Sequence, residues 1–284
     1  MTDRSRLFIS TEDLAARLGD PDLVVLDASW YLPVMGRDGA AEFAAERIPG
    51  AARFDIDAIA DPSSGLPHML AGPEAFAAAV GALGVGDGKT VVVYDGIGLF
   101  SAPRVWWNLV TYGAHEVRLL DGGLPKWKAE GRPLDTDAPK PPVPAVFTPK
   151  IDAARIADLD AVVAVLAAGE ATVVDARSAE RFRGAAPEPR EGLRGGDLPG
   201  SRHVPWSAVV DGQGRLADAE TLRAAFAGID LARPIVTSCG SGVSAAILWL
   251  ALESIGVPRG RLALYDGSWS EWGGRAETAV VTGA

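Results

Sequence analysis

Short runs of β-branched and aliphatic residues recur along the chain, among them "DLVVLD" (22–27), "TVVVYD" (90–95), "TVVD" (172–175) and "PIVTSC" (234–239). Each is apolar throughout and ends on an acid or on the cysteine. That pattern predicts strands buried on both faces of a parallel sheet. Stretches of helical character lie between the runs. "SAPRVWWNLVTYG" opens on Ser-Pro and stops at Gly113, as a helix start and stop should. "SAAILWLALESIG" is apolar on almost every side up to Gly256, which predicts a fully buried helix. Strands alternating with helices predict an α/β fold with mainly parallel sheets covered on both faces. Ligands of such sheets sit beyond the carboxyl ends of the strands.

The pattern occurs twice. "DLVVLDASW" (22–30) matches "ATVVDARSA" (171–179), and "IPGAARFDID" (48–57) matches "LPGSRHVPW" (198–206). "TVVVYDGIGLFSAPRVWW" (90–107) matches "PIVTSCGSGVSAAILWL" (234–250), and "RLLDGGLPKW" (118–127) matches "LALYDGSWSEW" (262–272). Four segments recurring in one order mark an internal duplication. Between the copies, six prolines fall from Pro133 to Pro149, which predicts an extended connector. The expected division is a first domain at 1–135, a linker at 136–150 and a second domain at 151–284. In this alignment Cys239 stands against Asp95, so only the second copy can run thiol chemistry.

Composition narrows the class. The chain has 284 residues, is 48% hydrophobic and carries a formal charge of −10. It is long enough for a large core, and its acidity argues against nucleic acid as a partner. One cysteine cannot form an intramolecular disulfide, which fits a reducing compartment. The stretch "MTDRSRLFISTEDLAARLGD" lacks an apolar leader, and no long apolar run predicts a membrane span. A cytoplasmic protein is expected. No spacing of His, Cys and carboxylates suits a metal, and "GIGLFSAP" is not a dinucleotide fingerprint.

The single cysteine lies in "CGSGVSA", between a strand and a helix. Two glycines let such a loop curl, so that successive N–H groups form an anion-binding nest. A thiolate held there gains from the N–H groups and from the helix start, and its pKa should fall. The alternative is a small buried hydrophobe. A cysteine-phosphatase reading fails because Ala245 occupies the place of the phosphate-binding arginine. A serine-hydrolase elbow fits neither Ser241 nor Ser244. Arg181 and Arg190 flank "RFRGAAPEPR", a loop able to fold over a site and suited to forked recognition of a carboxylate, although solvated arginines would look the same. Arg183 and Arg194 lie nearby. Trp106, Trp107, Trp249, Trp269 and Trp272 read as packing. Asp27 and Asp175 read as turn caps, and His115 and His203 as structural or surface residues.

The segments "CGSGVSA", "RFRGAAPEPREG", "FDID", "SAPRVWW" and "YDGSWSEW" together resemble the two-domain rhodanese-type sulfurtransferases, and more narrowly those that use 3-mercaptopyruvate. The resemblance covers essentially the whole chain and implies two tandem rhodanese-like domains. It implies Cys239 as the nucleophile, with Gly240, Ser241, Gly242, Val243 and Ser244 cradling a persulfide. It gives Arg181 and Arg190 the substrate's carboxylate and keto group. It also implies that Asp57 and His68 of the first copy join Ser241 in a serine-protease-like set beside the thiol; an exposed loop histidine is the plain alternative for His68. Ser244 replaces the usual Thr and keeps its hydroxyl. Gly240 and Ser241 stand where thiosulfate-directed relatives carry basic residues, which favours 3-mercaptopyruvate. The implied acceptors are cyanide, small thiols and thioredoxin, and no cofactor is needed. The alternatives are a thiosulfate:cyanide sulfurtransferase and a non-catalytic module whose nest binds an anion or a protein.

Overall fold

A computed structural model describes residues 4–283; residues 1–3, the start of the N-terminal stretch considered above, and residue 284 lie outside the described residues. The first copy runs β1 (Phe8–Ile9), α1 (Thr11–Arg17), β2 (Leu23–Asp27), α2 (Gly39–Ala45), β3 (Ala52–Arg53), α3 (Pro73–Ala82), β4 (Thr90–Tyr94), α4 (Ala102–Thr111), β5 (Glu116–Leu120) and α5 (Gly123–Ala129). The second runs β6 (Ile156–Ala157), α6 (Leu159–Ala168), β7 (Thr172–Asp175), α7 (Ala179–Phe182), β8 (Arg202–His203), α8 (Ala219–Ala225), β9 (Ile235–Ser238), α9 (Ala245–Ser254), β10 (Leu262–Tyr265) and α10 (Ser268–Trp272). The sheets have the orders β1-β5-β4-β2-β3 and β6-β10-β9-β7-β8, which are the same order twice. Every named strand pair is parallel.

The runs that read as doubly buried strands are the centre of each sheet. All five residues of β4 and all four of β9 are buried. The helix starts are capped as their sequences suggest. Ser10 and Asp158, at corresponding places, accept N–H bonds from Asp13 and Ala161.

Helices α4 and α9 follow the two central strands and pack on each other, with Trp107 and Trp249 in edge contact at 6.2 Å between centroids. One apolar cluster therefore joins the inner faces of both sheets, while smaller clusters sit on their outer faces. Ile247, Leu248, Leu250 and Leu252 of α9 are fully buried in the shared cluster. Each such side chain contributes roughly 1.5–3 kcal/mol relative to exposure. The proline-rich segment 136–150 carries no helix or strand but is pinned to the first copy. Ala145 and Lys150 donate N–H bonds to Gly81 and Tyr112, and Phe147 packs edge-on to Phe76 at 6.1 Å.

No helix among the described residues is long and apolar enough to cross a membrane.

Candidate active site

Cys239 is the first residue after β9, so it sits at the carboxyl end of the central strand. It is buried at the base of a cleft of about 260 Å³ formed between the copies. Gly240, Ser241, Val243, Ser244, Arg181 and Arg190 line this cleft, with Trp30, Leu32 and Phe100 from the first copy. The turn into α10 holds the loop from behind. Cys239 donates its N–H to Ser268 Oγ (3.2 Å) and accepts from Trp269 N (2.9 Å). The Gly240 carbonyl accepts from both the N–H and the hydroxyl of Ser270, at 2.8 and 2.7 Å.

The duplication supplies an internal measure of what this loop binds. At the matching place, the Asp95 carboxylate accepts five backbone N–H bonds of 2.8–2.9 Å, from Ile97, Gly98, Phe100, Ser101 and Ala102. A loop of this curl thus surrounds a full negative charge with donors. In the repeat's register the corresponding groups are those of Ser241, Gly242, Ser244, Ala245 and Ala246. The curl requires the left-handed region at Gly98 (φ 119°) and again at Gly242 (φ 79°), where a side chain would be strained.

Asp57, His68 and Ser241 come together across the boundary between the copies. Asp57 Oδ1 is 2.9 Å from His68 Nε2, and His68 Nδ1 is 3.0 Å from Ser241 Oγ. A carboxylate only accepts, so Nε2 carries a proton; Nδ1 faces both the Ser241 hydroxyl and, at 3.3 Å, the Ser241 carbonyl. Trp30 Nε1 donates to the second Asp57 oxygen at 2.9 Å and meets the His68 ring edge-on at 4.8 Å. The hydrogen bond from His68 holds the Asp57 carboxyl below its ordinary range, with burial opposing and His68, Trp30 and Arg190 adding to the effect. His68 is buried at φ 62°, so it is not an exposed loop histidine.

Arg181 and Arg190 both reach the cleft. Glu188, whose side chain is buried, pairs with Arg181 through its Nε and one Nη, and also pairs with Arg177. The other Nη of Arg181 has no hydrogen-bond partner among the described residues. The Arg181 guanidinium lies over Gly240, where an added Cβ would stand 2.9 Å from Nη2. Burial lowers the Arg190 pKa from the ordinary arginine value, and the thiol of Cys239 opposes that shift when ionised. Arg183 is exposed, and Arg194 is engaged with backbone carbonyls of residues 272–278, so neither is a cleft residue. His203 Nε2 donates to the Arg177 carbonyl (2.8 Å) and His115 is exposed.

Several residues of this region escaped the sequence reading. Trp30, Arg104, Ser268 and Ser270 act through partners distant in sequence, and Arg177 and Glu188 through each other. The one legible signal was Arg104, a lone charge inside the apolar stretch "APRVWW". No group of His, Cys, Asp or Glu among the described residues is arranged to hold a metal.

Comparison with known proteins places these features in a family. Residues 10–130 and 158–275 each match the rhodanese-like domain. The chain is 44% identical over 271 residues to the human 3-mercaptopyruvate sulfurtransferase, spanning 94% of this chain and 90% of that protein. It is 40% identical over 286 residues to the mitochondrial thiosulfate/3-mercaptopyruvate sulfurtransferase 1 of Arabidopsis thaliana, spanning 93% of this chain and 75% of that one. Among solved structures, SseA of Escherichia coli, a 3-mercaptopyruvate sulfurtransferase with the rhodanese fold, superposes with a TM-score of 0.83 at 39% identity, covering 92% of this chain and 98% of that chain.

Proposed function

The chain belongs to the rhodanese family, in its two-domain 3-mercaptopyruvate sulfurtransferase branch, and from that premise we propose that it moves the sulfur of 3-mercaptopyruvate through a Cys239 persulfide to a thiol or cyanide, releasing pyruvate. One observation carries this reading. A hydrogen-bonded path from Asp57 through His68 reaches Ser241, two residues from the chain's single cysteine. The first copy (1–135) supplies Asp57 and His68. The second (151–284), beyond the linker at 136–150, supplies the thiol and both arginines.

In the first step the Cys239 thiolate attacks the substrate's sulfur. The sulfur–carbon bond breaks and its electron pair leaves with carbon, as pyruvate enolate. The substrate's thiol proton is lost from sulfur and a proton is gained at the enolate carbon, so the step balances with no outside reductant. Ser241 and His68 hold and return that proton, and Asp57 fixes the ring's tautomer and offsets its charge when it is protonated. Arg181 and Arg190 receive the carboxylate and keto oxygens. The N–H groups of the loop at 240–244 and of the first turn of α9 hold the persulfide anion, as the matching loop holds the Asp95 carboxylate. In the second step cyanide, a small thiol or thioredoxin attacks the outer sulfur and frees the Cys239 thiolate. The cysteine itself is the sulfur carrier, so no cofactor enters, and a reducing cytoplasm suits the lone thiol.

The test compares initial rates with 3-mercaptopyruvate and with thiosulfate at one cyanide concentration. The expected result is equal release of pyruvate and thiocyanate from 3-mercaptopyruvate, a much slower reaction with thiosulfate, and none with Cys239→Ser. Faster turnover of thiosulfate would overturn the donor. Thiocyanate from neither donor would favour a binding module.

A further inference from the structure

His68 is held in an unusual way. It is one of two non-glycine residues at positive φ among the described residues. Such a backbone costs of order 1–3 kcal/mol and persists only where its surroundings dictate it. Here the surroundings are side chains bonded to the backbone at His68 and just after it. Arg104 Nη2 donates to the His68 carbonyl at 2.6 Å. The same nitrogen donates to Asp266 Oδ1 at 2.5 Å, and Asp266 Oδ2 accepts the Leu70 N–H at 2.8 Å. The Tyr112 hydroxyl donates to the Ala71 carbonyl.

The pair joins the two copies. Arg104 lies in α4 of the first, and Asp266 follows β10 of the second. Both are buried, with side chains 1% and 4% exposed. Arg104 Nη1 also lies beside the cysteine loop, where it would stand 2.5 Å from a Cβ placed on Gly242. A buried ion pair is weak evidence for stability, because desolvation offsets its attraction. What this pair does is fix the position of the His68 backbone against the second copy.

We propose that the buried Arg104–Asp266 pair is a positioning device, which clamps the 68–70 backbone of the first copy to the second and so sets His68 within reach of Ser241. Neither residue touches substrate; both act through His68. The inference rests on the role given to His68 above. If the Nδ1–Oγ contact drifts by about 1 Å, proton transfer slows by about 10- to 100-fold.

The experiment is a double-mutant cycle on the full chain with 3-mercaptopyruvate as donor. Arg104→Met, Asp266→Asn and Arg104→Lys are each made alone and in His68→Ala. Arg104→Met and Asp266→Asn are expected to lower kcat by about 10- to 100-fold with KM changed by less than about threefold. Arg104→Lys, which keeps one charged nitrogen able to serve both acceptors, is expected to restore part of the loss. In His68→Ala the same changes are expected to cost less than about threefold, because the residue they position is gone. In Asp266→Asn, which leaves Arg104 beside the cysteine loop, the rate at which iodoacetamide alkylates Cys239 should not change. Should Arg104→Met fail to fold, Asp266→Asn carries the cycle. Equal losses in both backgrounds, or full activity in the single variants, would overturn the clamp while leaving the His68 reading intact. Full activity of His68→Ala alone would overturn that reading and the clamp with it.

Discussion

Gly240 leaves room for the end of the Arg181 side chain. A Cβ on Gly240 would stand 2.9 Å from Arg181 Nη2, so a side chain after the cysteine makes the guanidinium shift. Gly240→Ala is therefore expected to raise KM for 3-mercaptopyruvate several-fold with a smaller effect on kcat. Arg181→Met should raise it by about 10- to 100-fold, the value of a charge-assisted hydrogen bond of about 1.5–3 kcal/mol. Steady-state kinetics with varied donor separates the two. Asp57 gives a pH prediction at the same scale. Its pKa is lowered in the folded protein, chiefly by the bond from His68. The stability it contributes is thus fully present above the unfolded value of about 3.9 and is lost as pH falls through the lower folded value. An acid limb in kcat/KM above pH of about 5 then belongs to another group, and Asp57→Asn should not move its midpoint to higher pH. Cys239 stood out in the sequence as the lone thiol of a Gly-rich loop, whereas Arg181 and Arg190 were singled out through the family resemblance, because solvated arginines would look the same. Glu188 was not singled out, because its worth lies in pairing with Arg177 and Arg181 at once.

The two strand-to-helix loops are one element used in two ways. After β9 the loop presents a thiol; after β4 it is closed on the Asp95 carboxylate by five N–H bonds. Asp95→Ala would leave those donors buried and unpaired, at about 1–3 kcal/mol each before water enters. A loss of at least about 3 kcal/mol is expected, seen as a lower denaturant midpoint, whereas Cys239→Ser should leave that midpoint within about 0.5 kcal/mol. Equal stability of Asp95→Ala and the parent would refute the carboxylate's structural role. The central strands and α9 were readable because their apolar runs are continuous, and α4 because of its Ser-Pro start and Gly113 stop. The edge strands β1, β3, β6 and β8 were not, since each has only two residues and no pattern can emerge at that length. The left-handed residues His68 and Ser268 were also hidden, because their conformation is imposed by Asp266, Arg104 and the turn into α10 rather than by their own preference.

At the scale of the molecule, the copies meet through α4 and α9 in one continuous apolar cluster, with Arg104 and Asp266 paired inside it. A shared core of this kind predicts one cooperative unfolding transition, with calorimetric and van't Hoff enthalpies equal; two separated transitions would contradict it. The cleft exists only because the copies are joined, since its proton path starts in one and its thiol lies in the other. The internal repeat was legible from four matched segments. Their mutual placement was not, because contacts such as Arg104–Asp266 span 162 residues and leave no local trace. The most direct test of the whole arrangement is the mass of the intact protein after brief exposure to 3-mercaptopyruvate. The expected result is a gain of one sulfur atom, lost on adding cyanide and absent in Cys239→Ser. An unchanged mass, or a gain that survives in Cys239→Ser, would contradict sulfur transfer through this cysteine.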